Sequence, residues 1–337
     1  MNDNNISIAI DVMGGDNSPL KTLKGAEIFL KKNNDVNFFL FGKKDLIENT
    51  INKHKIRLSN YKITNTQENV QNDDSPNDII RNRKDSSISK GLEFIKGNKK
   101  SGFVSAGNTA AIMILSRLKL GMLEGIDRPA ICSPIPNKKG YSIMLDLGAN
   151  VTSDAKNLFQ FALMGFCYHS IFKPNTNPKL SIINIGTEEN KGRDHLQEAK
   201  ELIETSFLNK YFIGFIEPNK MTSAESDIMI TDGYTGNIIL KTASGMSNYI
   251  TGNLKNMFSS SIKNKIAYKI IENDIQNLKD EINPDKYNGA IFIGVNGISI
   301  KSHGSANEYA FSYAIEKCYK FIKNNINDKI TNELNKL

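Results

Sequence analysis

The first apolar run of the chain and the turn that follows it read Ile6-Ser7-Ile8-Ala9-Ile10-Asp11-Val12-Met13-Gly14-Gly15-Asp16. A short apolar run that ends in turn residues is typical of a buried strand. The same arrangement recurs along the chain, and amphipathic stretches of ten or more residues separate the runs. Strands that alternate with helices are joined by right-handed crossovers and pair in parallel. The sequence therefore predicts an α/β protein with a mostly parallel sheet.

The apolar runs predict strands at residues 6–10, 36–41, 103–105, 142–145, 180–185, 212–216, 228–231 and 290–295. The amphipathic stretches predict helices at residues 20–32, 88–96, 109–120, 158–171, 196–207 and 307–322. This alternation favours a three-layer α/β/α sandwich with the sheet in the middle. A chain of 337 residues is near the size at which one core gives way to two. We predict a single α/β domain over residues 1–337.

Several of these strands end in glycine beside Asp, Asn, Ser or Thr. The loops are residues 11–16, 105–109, 146–150, 186–189 and 232–237. Ligands bind at the carboxyl ends of the strands in open α/β sheets, so we expect the loops to converge on one site. Any one loop alone would be ordinary turn chemistry.

Two of the loops, residues 105–109 and 233–237, open predicted helices. The free N–H groups and the positive dipole end of a helix N-terminus favour a phosphate or a carboxylate. Candidate cations are Arg81, Arg83 and Lys84, which precede two serines, and Lys191 in a glycine-bounded turn. Either group could instead be a solvated surface. No nucleophile has an adjacent base in the sequence, which favours a reaction in which a bound anion attacks.

Composition excludes several other classes of protein. The net charge of +7, from 43 basic and 36 acidic residues, would suit an acidic partner, but finger motifs and tryptophan are missing, so we predict no nucleic-acid partner. Cys132, Cys167 and Cys318 lie far apart, which predicts free thiols and no metal site. No stretch is long and apolar enough to span a bilayer, and the N-terminus lacks a signal pattern, so we expect a cytoplasmic protein.

Residues 238–282 carry a different pattern, in which apolar residues recur at steps of three or four on either side of Ser259, Ser260 and Ser261. This predicts a protruding αα-hairpin of two amphipathic helices. Its tip carries the apolar side chains of Met257, Phe258 and Ile262, bracketed by lysines. We expect the tip to contact a membrane, the apolar stripe to form a dimer interface, or both.

The segments that carry a family resemblance run in order through nearly the whole chain: residues 11–16 with Pro19, 81–87, 105–109, 128–129, 146–150, 184–192, 231–237, Gly294 and 302–304. In this combination the sequence resembles the bacterial phosphate acyltransferases of the PlsX type. The resemblance implies that inorganic phosphate attacks the thioester of a long-chain acyl group on acyl carrier protein, giving acyl phosphate and the free carrier. The product would feed a membrane glycerol-3-phosphate acyltransferase in phospholipid synthesis.

The resemblance also implies a Rossmann-like fold similar to isocitrate and isopropylmalate dehydrogenases, a homodimer, peripheral attachment to the inner face of the cell membrane and no cofactor. It assigns catalytic roles to Lys191, which would neutralise phosphate or the developing oxyanion, and to Asn237, which would donate a hydrogen bond and hold the nucleophile in line. The basic surface around Arg81, Arg83 and Lys84 would dock the acidic carrier. The residues expected to bind substrate and phosphate are Asp11, Gly14, Gly15, Asp16, Arg81, Lys84, Ser86, Ser87, Ser105, Gly107, Asn108, Thr109, Gly148, Asn150, Asp232, Gly236 and His303.

One segment departs from the family pattern. Where many members have Gly-Asn-x-Glu-Gly-Arg-Asp, this chain reads Gly214-Phe215-Ile216-Glu217-Pro218-Asn219-Lys220, so we assign no role there. Two other interpretations remain open. One is a phosphate acetyltransferase or a metal-dependent decarboxylating dehydrogenase on the same architecture, although the candidate aspartates Asp11, Asp16, Asp146 and Asp232 are spread over three loops and not clustered on facing helices. The other is a non-enzymatic, membrane-associated scaffold that binds acyl carrier protein.

Overall fold

The computed structural model describes residues 5–33, 35–71, 74–188, 191–281 and 283–336. Its strands are β1 (Ile6–Asp11), β2 (Val36–Gly42), β3 (Tyr61–Asn65), β4 (Ser101–Ser105), β5 (Ala130–Asn137), β6 (Gly140–Leu145), β7 (Leu180–Ile183), β8 (Phe212–Ile216), β9 (Ile228–Ile230), β10 (Ala290–Ile293) and β11 (Ile298–Lys301). Its helices are α1 (Leu20–Leu30), α2 (Lys44–His54), α3 (Pro76–Asn82), α4 (Ser87–Ile95), α5 (Thr109–Leu120), α6 (Ala155–Phe172), α7 (Asp194–Glu204), α8 (Gly233–Ser259), α9 (Ile262–Ile270), α10 (Glu272–Glu281), α11 (Glu308–Lys323) and α12 (Ile326–Leu334).

The strands form one sheet in the order β3-β2-β1-β4-β11-β10-β5-β6-β9-β7-β8. The five strands from β3 to β11 pair in parallel, and so do the four from β6 to β8. Between these two groups, β10 is antiparallel to β11 and to β5, and β5 is antiparallel to β6. Three successive reversals make β6, β9, β7 and β8 run opposite to β1, β4 and β11. The carboxyl ends of the two parallel groups therefore lie at opposite ends of the strands.

Helices cover both faces of the sheet. The core cluster on one face includes side chains of α1, α6 and α11, and the cluster on the other face includes side chains of α4 and α5. Along β1 the side chains of Ile8 and Ile10 belong to one core cluster and that of Ala9 to the other, as the two-residue period of a strand requires. The prediction of a three-layer α/β fold with a mostly parallel sheet is confirmed.

The sequence patterns missed β3, β5 and β11 among the strands, and α2, α3 and α12 among the helices. Strand β5 contains Pro134 and Pro136, which normally argue against a central strand. It pairs with β10 only over Ala130–Cys132 and with β6 from Ser133 onward. Both prolines therefore lie where β5 has a single partner, and this explains why a strand that looked broken still belongs to the sheet.

Residues 233–281 form three helices rather than two. Helix α8 begins at Gly233, because the Asp232 carboxylate caps it by accepting hydrogen bonds from the Thr235 N–H at 2.8 Å and hydroxyl at 3.0 Å. Ser261 caps α9 by accepting a hydrogen bond from the Asn264 N–H at 3.1 Å. The return arm is divided at Ile271 into α9 and α10, and Ile282, the last residue of the proposed hairpin, lies outside the described residues.

Most apolar side chains of α8 and α9 are exposed, among them Met246, Tyr249, Ile250, Leu254, Ile262 and Ile266. Phe258 is the exception at the tip, since its ring packs edge-on against Tyr268 with 5.4 Å between ring centroids. None of the helices in the described ranges has the length and hydropathy needed to span a bilayer.

Candidate functional site

A cavity of about 600 Å³ lies at the carboxyl ends of β1, β4 and β11. Three loops line most of it, at residues 13–16, 106–110 and 303–304, together with Asp11 and Lys301. Residues 69–71 and the first turn of α4 complete the wall. The cavity therefore unites two of the glycine-containing loops with the Ser-His-Gly turn.

The Asp11 carboxylate lies at the base of the cavity and is 1% exposed. It accepts hydrogen bonds from the Ser105 hydroxyl at 2.6 Å and from the Met13 N–H at 3.0 Å. Burial raises the pKa of Asp11, and the hydrogen bonds from Ser105 and Ser87 oppose that rise. The Ser105 oxygen also accepts a hydrogen bond from the Gly107 N–H at 2.9 Å. One buried carboxylate thus ties together the loops that follow β1 and β4.

Gly14 is required by the close approach of these two loops. A Cβ at Gly14 would lie 2.5 Å from the Gly107 nitrogen and closer still to the Asp11 carboxylate. Gly15 has a φ of +81°, in the left-handed region that favours glycine. The backbone can therefore line the cavity where side chains would fill it.

Two helix N-termini open onto the cavity. Asn108 caps α5 by accepting a hydrogen bond from the Ala111 N–H at 3.0 Å, and Ser86 caps α4 by accepting one from the Ser89 N–H at 3.3 Å. Thr109 and Ser87, the first residues of the two helices, line the wall. Both positive dipole ends therefore favour an anion in this space.

Two lysines add positive charge. The Lys301 ammonium donates to the carbonyl oxygens of Ser302 and, at 3.5 Å, of Ala106. The Lys21 ammonium lies behind the lining and donates to the carbonyl oxygen of Gly304. Within the described ranges neither ammonium forms an ion pair with a carboxylate. Burial lowers the pKa of both lysines, and for Lys301 burial together with repulsion from Lys21 brings it to about 8.

Asn288 holds the Ser-His-Gly turn in place. Its side-chain NH₂ donates to the Ser302 hydroxyl and to the Ala310 carbonyl, each at 2.8 Å, and its oxygen accepts from the His303 N–H at 3.0 Å. The exposed His303 ring lies on the cavity wall with its Nδ1 2.9 Å from the Ser305 hydroxyl, within the same turn.

The second group of predicted residues lies at the carboxyl ends of β6, β9 and β7, away from this cavity. The buried Asp146 carboxylate accepts hydrogen bonds from the Ile131, Gly148 and Ala149 N–H groups and from both nitrogens of Asn150, at 2.8–3.1 Å. Burial raises the pKa of Asp146, and these donors oppose the rise. Asp146 and Asn150 therefore shape the loop from inside it.

Lys191 and Asn237 belong to this second group. The Lys191 side chain is 49% exposed, and its ammonium lies 2.6 Å from a carboxylate oxygen of Glu188. Asn237, the fifth residue of α8, is half-buried beside Gly148. Their loops follow β7 and β9, which are neighbours in the sheet, but neither side chain lines the cavity. Glu189 and Asn190, in the same loop as Lys191, lie outside the described residues.

The structure divides the sequence-predicted residues accordingly. Those that line the cavity are Asp11, Gly14, Gly15, Asp16, Ser87, Gly107, Asn108, Thr109 and His303, and Ser86 and Ser105 support it from below. Arg81 and Lys84 are exposed outside it, and Gly148, Asn150, Asp232 and Gly236 belong to the second group. The expectation that all the loops converge on one site is wrong for this cavity, because the strand reversals separate them. Sequence reasoning missed Lys21 and Lys301, because neither lysine belongs to one of the glycine-containing loops and Lys301 follows Ile298-Ser299-Ile300 as an ordinary solvated residue would.

Two solved structures share this architecture. A phosphotransacetylase from Streptococcus pyogenes superimposes with a TM-score of 0.62 at 17% identity, covering 95% of each chain. A branched-chain phosphotransacylase from Enterococcus faecalis gives a TM-score of 0.58 at 11% identity, covering 94% of this chain and 99% of the other. The fold thus places the chain among α/β proteins of phosphotransacylase architecture.

Sequence comparison narrows this class to a family. The model of the family described as "Fatty acid synthesis protein" matches residues 6–329. Phosphate acyltransferases from Pelagibacter ubique and Clostridium tetani are 37% and 39% identical to this chain, and each comparison covers 98% of both chains. The chain therefore belongs to the fatty acid synthesis protein family and, within it, to the phosphate acyltransferases. The resemblance identified from the loop motifs is confirmed.

Proposed function

We propose that this acyltransferase moves a long-chain acyl group from the thioester of acyl carrier protein to inorganic phosphate, releasing acyl phosphate and the free carrier. The observation that carries this proposal is the cavity itself. It holds the Lys301 ammonium, with Lys21 directly behind. Asp11 attracts Lys301 and Asp16 attracts Lys21, but among the described residues no carboxylate oxygen lies within ion-pair distance of either ammonium. Two partly buried cations beside two helix N-termini are stabilised by a small dianion. Phosphate fits this requirement.

Direct attack by phosphate fits the remaining side chains. All three cysteines are buried, and burial raises their pKa, to about 12 for Cys167, so none is an activated thiolate. The contact of His303 with Ser305 joins residues two apart in one exposed turn, and Ser305 does not line the cavity. The Ser105 hydroxyl donates to Asp11 but is fully buried, so it is not open to an acyl donor. In this proposal phosphate itself is the nucleophile, and the protein's part is to orient it and to stabilise charge.

The catalytic roles that the resemblance assigns to Lys191 and Asn237 stay predictions, because within one copy of the chain neither side chain lines the cavity that carries the phosphate proposal. The Lys191 ammonium must leave Glu188 before it can neutralise an oxyanion. We expect Lys191→Ala to lower kcat by roughly 10² to 10³, the scale of one lost oxyanion donor. Glu188→Gln, which frees the ammonium, serves as the matched control and should leave kcat within about threefold of wild type.

Acyl carrier protein is the proposed acyl donor, and its acidic surface would dock on exposed cations outside the cavity. Arg81 and Lys84 are available for this contact. Arg83 is not, because its guanidinium forms two hydrogen bonds with the Asp74 carboxylate, at 2.7 and 2.8 Å. We expect Arg81→Glu with Lys84→Glu to raise KM for the carrier substrate and to weaken its salt dependence, and Lys53→Glu on α2 to change neither.

The exposed apolar side chains of α8 and α9 support two further parts of the proposal. The stripe formed by Met246, Tyr249, Ile250 and Leu254 would pack against a second copy of the chain as a homodimer. The tip at Met257 and Ile262 would contact the inner face of the cell membrane, where a glycerol-3-phosphate acyltransferase would consume the acyl phosphate. Ile250→Glu tests the first part by sedimentation, and a dimer that persists unchanged would contradict it.

The reaction is tested by incubating the purified protein with labelled orthophosphate and acyl carrier protein charged with a long-chain acyl group. The expected products are a labelled acyl phosphate, which hydroxylamine traps as the hydroxamate, and an equal amount of free carrier thiol. Lys21→Ala should raise KM for phosphate, whereas Lys24→Ala, one turn along α1 and outside the cavity, should not. Acyl phosphate from acetyl-coenzyme A but not from the charged carrier would favour the acetyltransferase alternative instead.

A further inference from the structure

The Lys301 ammonium uses two of its N–H donors in hydrogen bonds to backbone carbonyls, and one N–H remains available inside the cavity. A lysine ammonium carries three N–H donors. Two of them are directed at the carbonyl oxygens of Ser302 and Ala106, which hold the ammonium against the ends of β11 and β4. Lys301 lines the cavity, and no third acceptor for its ammonium is present among the described residues, so the third donor is available to a substrate bound there. Lys21 is different, because its ammonium sits behind Gly15 and Gly304 rather than on the wall.

The backbone of Lys301 is also fixed. It is the last residue of β11 and pairs with Ser105 of β4 on one side and with Ala290 of β10 on the other. The ammonium is therefore attached to a rigid part of the sheet, next to the Asp11–Ser105 hydrogen bond. A rigid donor beside an anion-binding wall has the placement that proton transfer during catalysis requires.

We propose that Lys301 is the general acid of the reaction and protonates the sulfur of the leaving thiol. This inference rests on the proposed function. A phosphate oxygen of HPO₄²⁻ forms the bond to the carbonyl carbon, the carbon–sulfur bond breaks with its electron pair going to sulfur, and a proton moves from the Lys301 Nζ to that sulfur. The neutral amine then takes the proton that HPO₄²⁻ loses as its oxygen becomes the bridging oxygen of acyl phosphate. Lys301 ends the reaction with the same number of protons as it began, so no further reactant is needed.

The acidity of Lys301 suits this role. Burial and the charge of Lys21 lower its pKa to about 8, and the carboxylate of Asp11 opposes the shift. An alkyl thiol has a pKa of about 8.5, so donor and acceptor are closely matched, as general acid catalysis favours. The charged or titratable groups around the ammonium are Asp11 on β1, Lys21 on α1, and Asp16 and His303 on the cavity wall.

A pair of thioesters with different leaving groups tests the proposal. The S-octanoyl derivatives of N-acetylcysteamine and of thiophenol differ in leaving-thiol acidity, and the aromatic thiolate leaves without a proton. For wild type, we expect kcat with the alkyl ester to fall as pH rises through the pKa of Lys301 in the substrate complex, because the acid is lost, and kcat with the aryl ester to stay level; the bound phosphate dianion places that pKa above the value of about 8 in the free protein. Lys301→Arg keeps the charge but cannot release a proton near neutral pH. It should slow the alkyl ester by about 10² or more and the aryl ester by less than about tenfold.

Variants at the charged neighbours of Lys301 test independently whether Lys301 is the group that titrates in the alkyl-ester profile. Lys21→Met removes a repulsion and should move the alkaline limb of the alkyl-ester profile to higher pH, whereas Asp11→Asn should move it to lower pH. If Lys301→Arg fails to fold, Lys301→Met takes its place. The comparison of the two esters with the wild-type protein does not depend on any variant. Equal loss on both esters in the Lys301 variants, or an alkaline limb that wild type shows with both esters, would overturn the proposal. Failure of wild type to form acyl phosphate from any thioester would instead refute the proposed function.

Discussion

The hydrogen bond between Ser105 and Asp11 should be worth more than an ordinary buried hydrogen bond. The Asp11 carboxylate is buried and accepts the Ser105 hydroxyl at 2.6 Å. A hydrogen bond to a charged group contributes about 1.5–3 kcal/mol, and one between neutral groups about 0.5–1.5 kcal/mol. Ser105→Ala also removes the acceptor of the Gly107 N–H, and we expect the substitution to lower the free energy of unfolding by at least about 2 kcal/mol. Over 337 residues, that corresponds to a fall of about 3 °C in Tm.

The matched control is Ser116→Ala. The Ser116 hydroxyl donates to the Ser299 hydroxyl at 3.0 Å, and both residues are buried away from the cavity. Because that hydrogen bond joins two neutral groups, its loss should cost about half as much. Denaturant unfolding monitored by circular dichroism, with both variants measured beside wild type from pH 4 to 8, gives the comparison.

The pH dependence separates the two serines. Ser105 favours the ionised form of Asp11, so the folded-state pKa of Asp11 is lower with Ser105 than without it, and burial puts both values above the usual 3.8. The extra loss in Ser105→Ala is therefore complete above both pKa values and disappears as pH falls below them. Ser116→Ala should show no such dependence. A loss in Ser105→Ala that equals that of the control and is constant with pH would refute this reasoning.

Three further variants probe other parts of the chain. Gly236→Ala would place a Cβ well inside van der Waals contact with the backbone carbonyl oxygen of Asp146. It should lower the free energy of unfolding, measured by chemical denaturation, by more than about 3 kcal/mol. The control is Gly245→Ala on the same helix, which has open space around it and should raise the free energy of unfolding by up to about 1 kcal/mol. Asn288→Ala releases the Ser-His-Gly turn from three hydrogen bonds and should lower kcat by about tenfold in the acyl phosphate assay; wild-type turnover would contradict it. Ile262→Asp should reduce flotation with anionic liposomes, whereas Ile185→Asp should not; the two isoleucines are 79% and 76% exposed, so equal flotation of both variants would remove the tip from membrane contact.

The parts of the fold that the sequence predicts are those with local signals. Helix α5 begins at Thr109 and ends at Leu120 as its pattern indicates, because Asn108 caps it and Gly121 follows it. The loop after β1 is recognisable because its glycines are needed for a close approach that only small residues allow. The hairpin turn at Ser260 and Ser261 is also recognisable, because serine is a favoured N-cap residue and Ser261 caps α9. The break at Ile271 has no comparable signal.

The cations of the cavity are harder to find because their importance depends on non-local burial. Lys301 ends an apolar strand, and in a sequence such a lysine looks like the first solvated residue after the strand. It becomes special only because the turns after β1, β4 and β11 close around it. Arg83 shows the opposite case: a cation in a promising motif is neutralised by Asp74, nine positions earlier in the chain.

Strand direction decides which of the predicted residues meet the anion. Apolar runs show where strands lie but not which way they run, and here β10 and β5 reverse the sheet between its two parallel halves. The loops of the first half meet at Lys301, and those of the second half surround Asp146 and Asn237 at the opposite end of the strands. Asp146 is saturated by five donors, whereas the Lys301 ammonium has a donor left over. The second half also has a cation, Lys191, and a helix N-terminus at Gly233, but the Lys191 ammonium is paired with Glu188, whereas Lys301 lies beside two helix N-termini with no carboxylate at ion-pair distance among the described residues. We therefore expect phosphate to bind in the first half of the sheet.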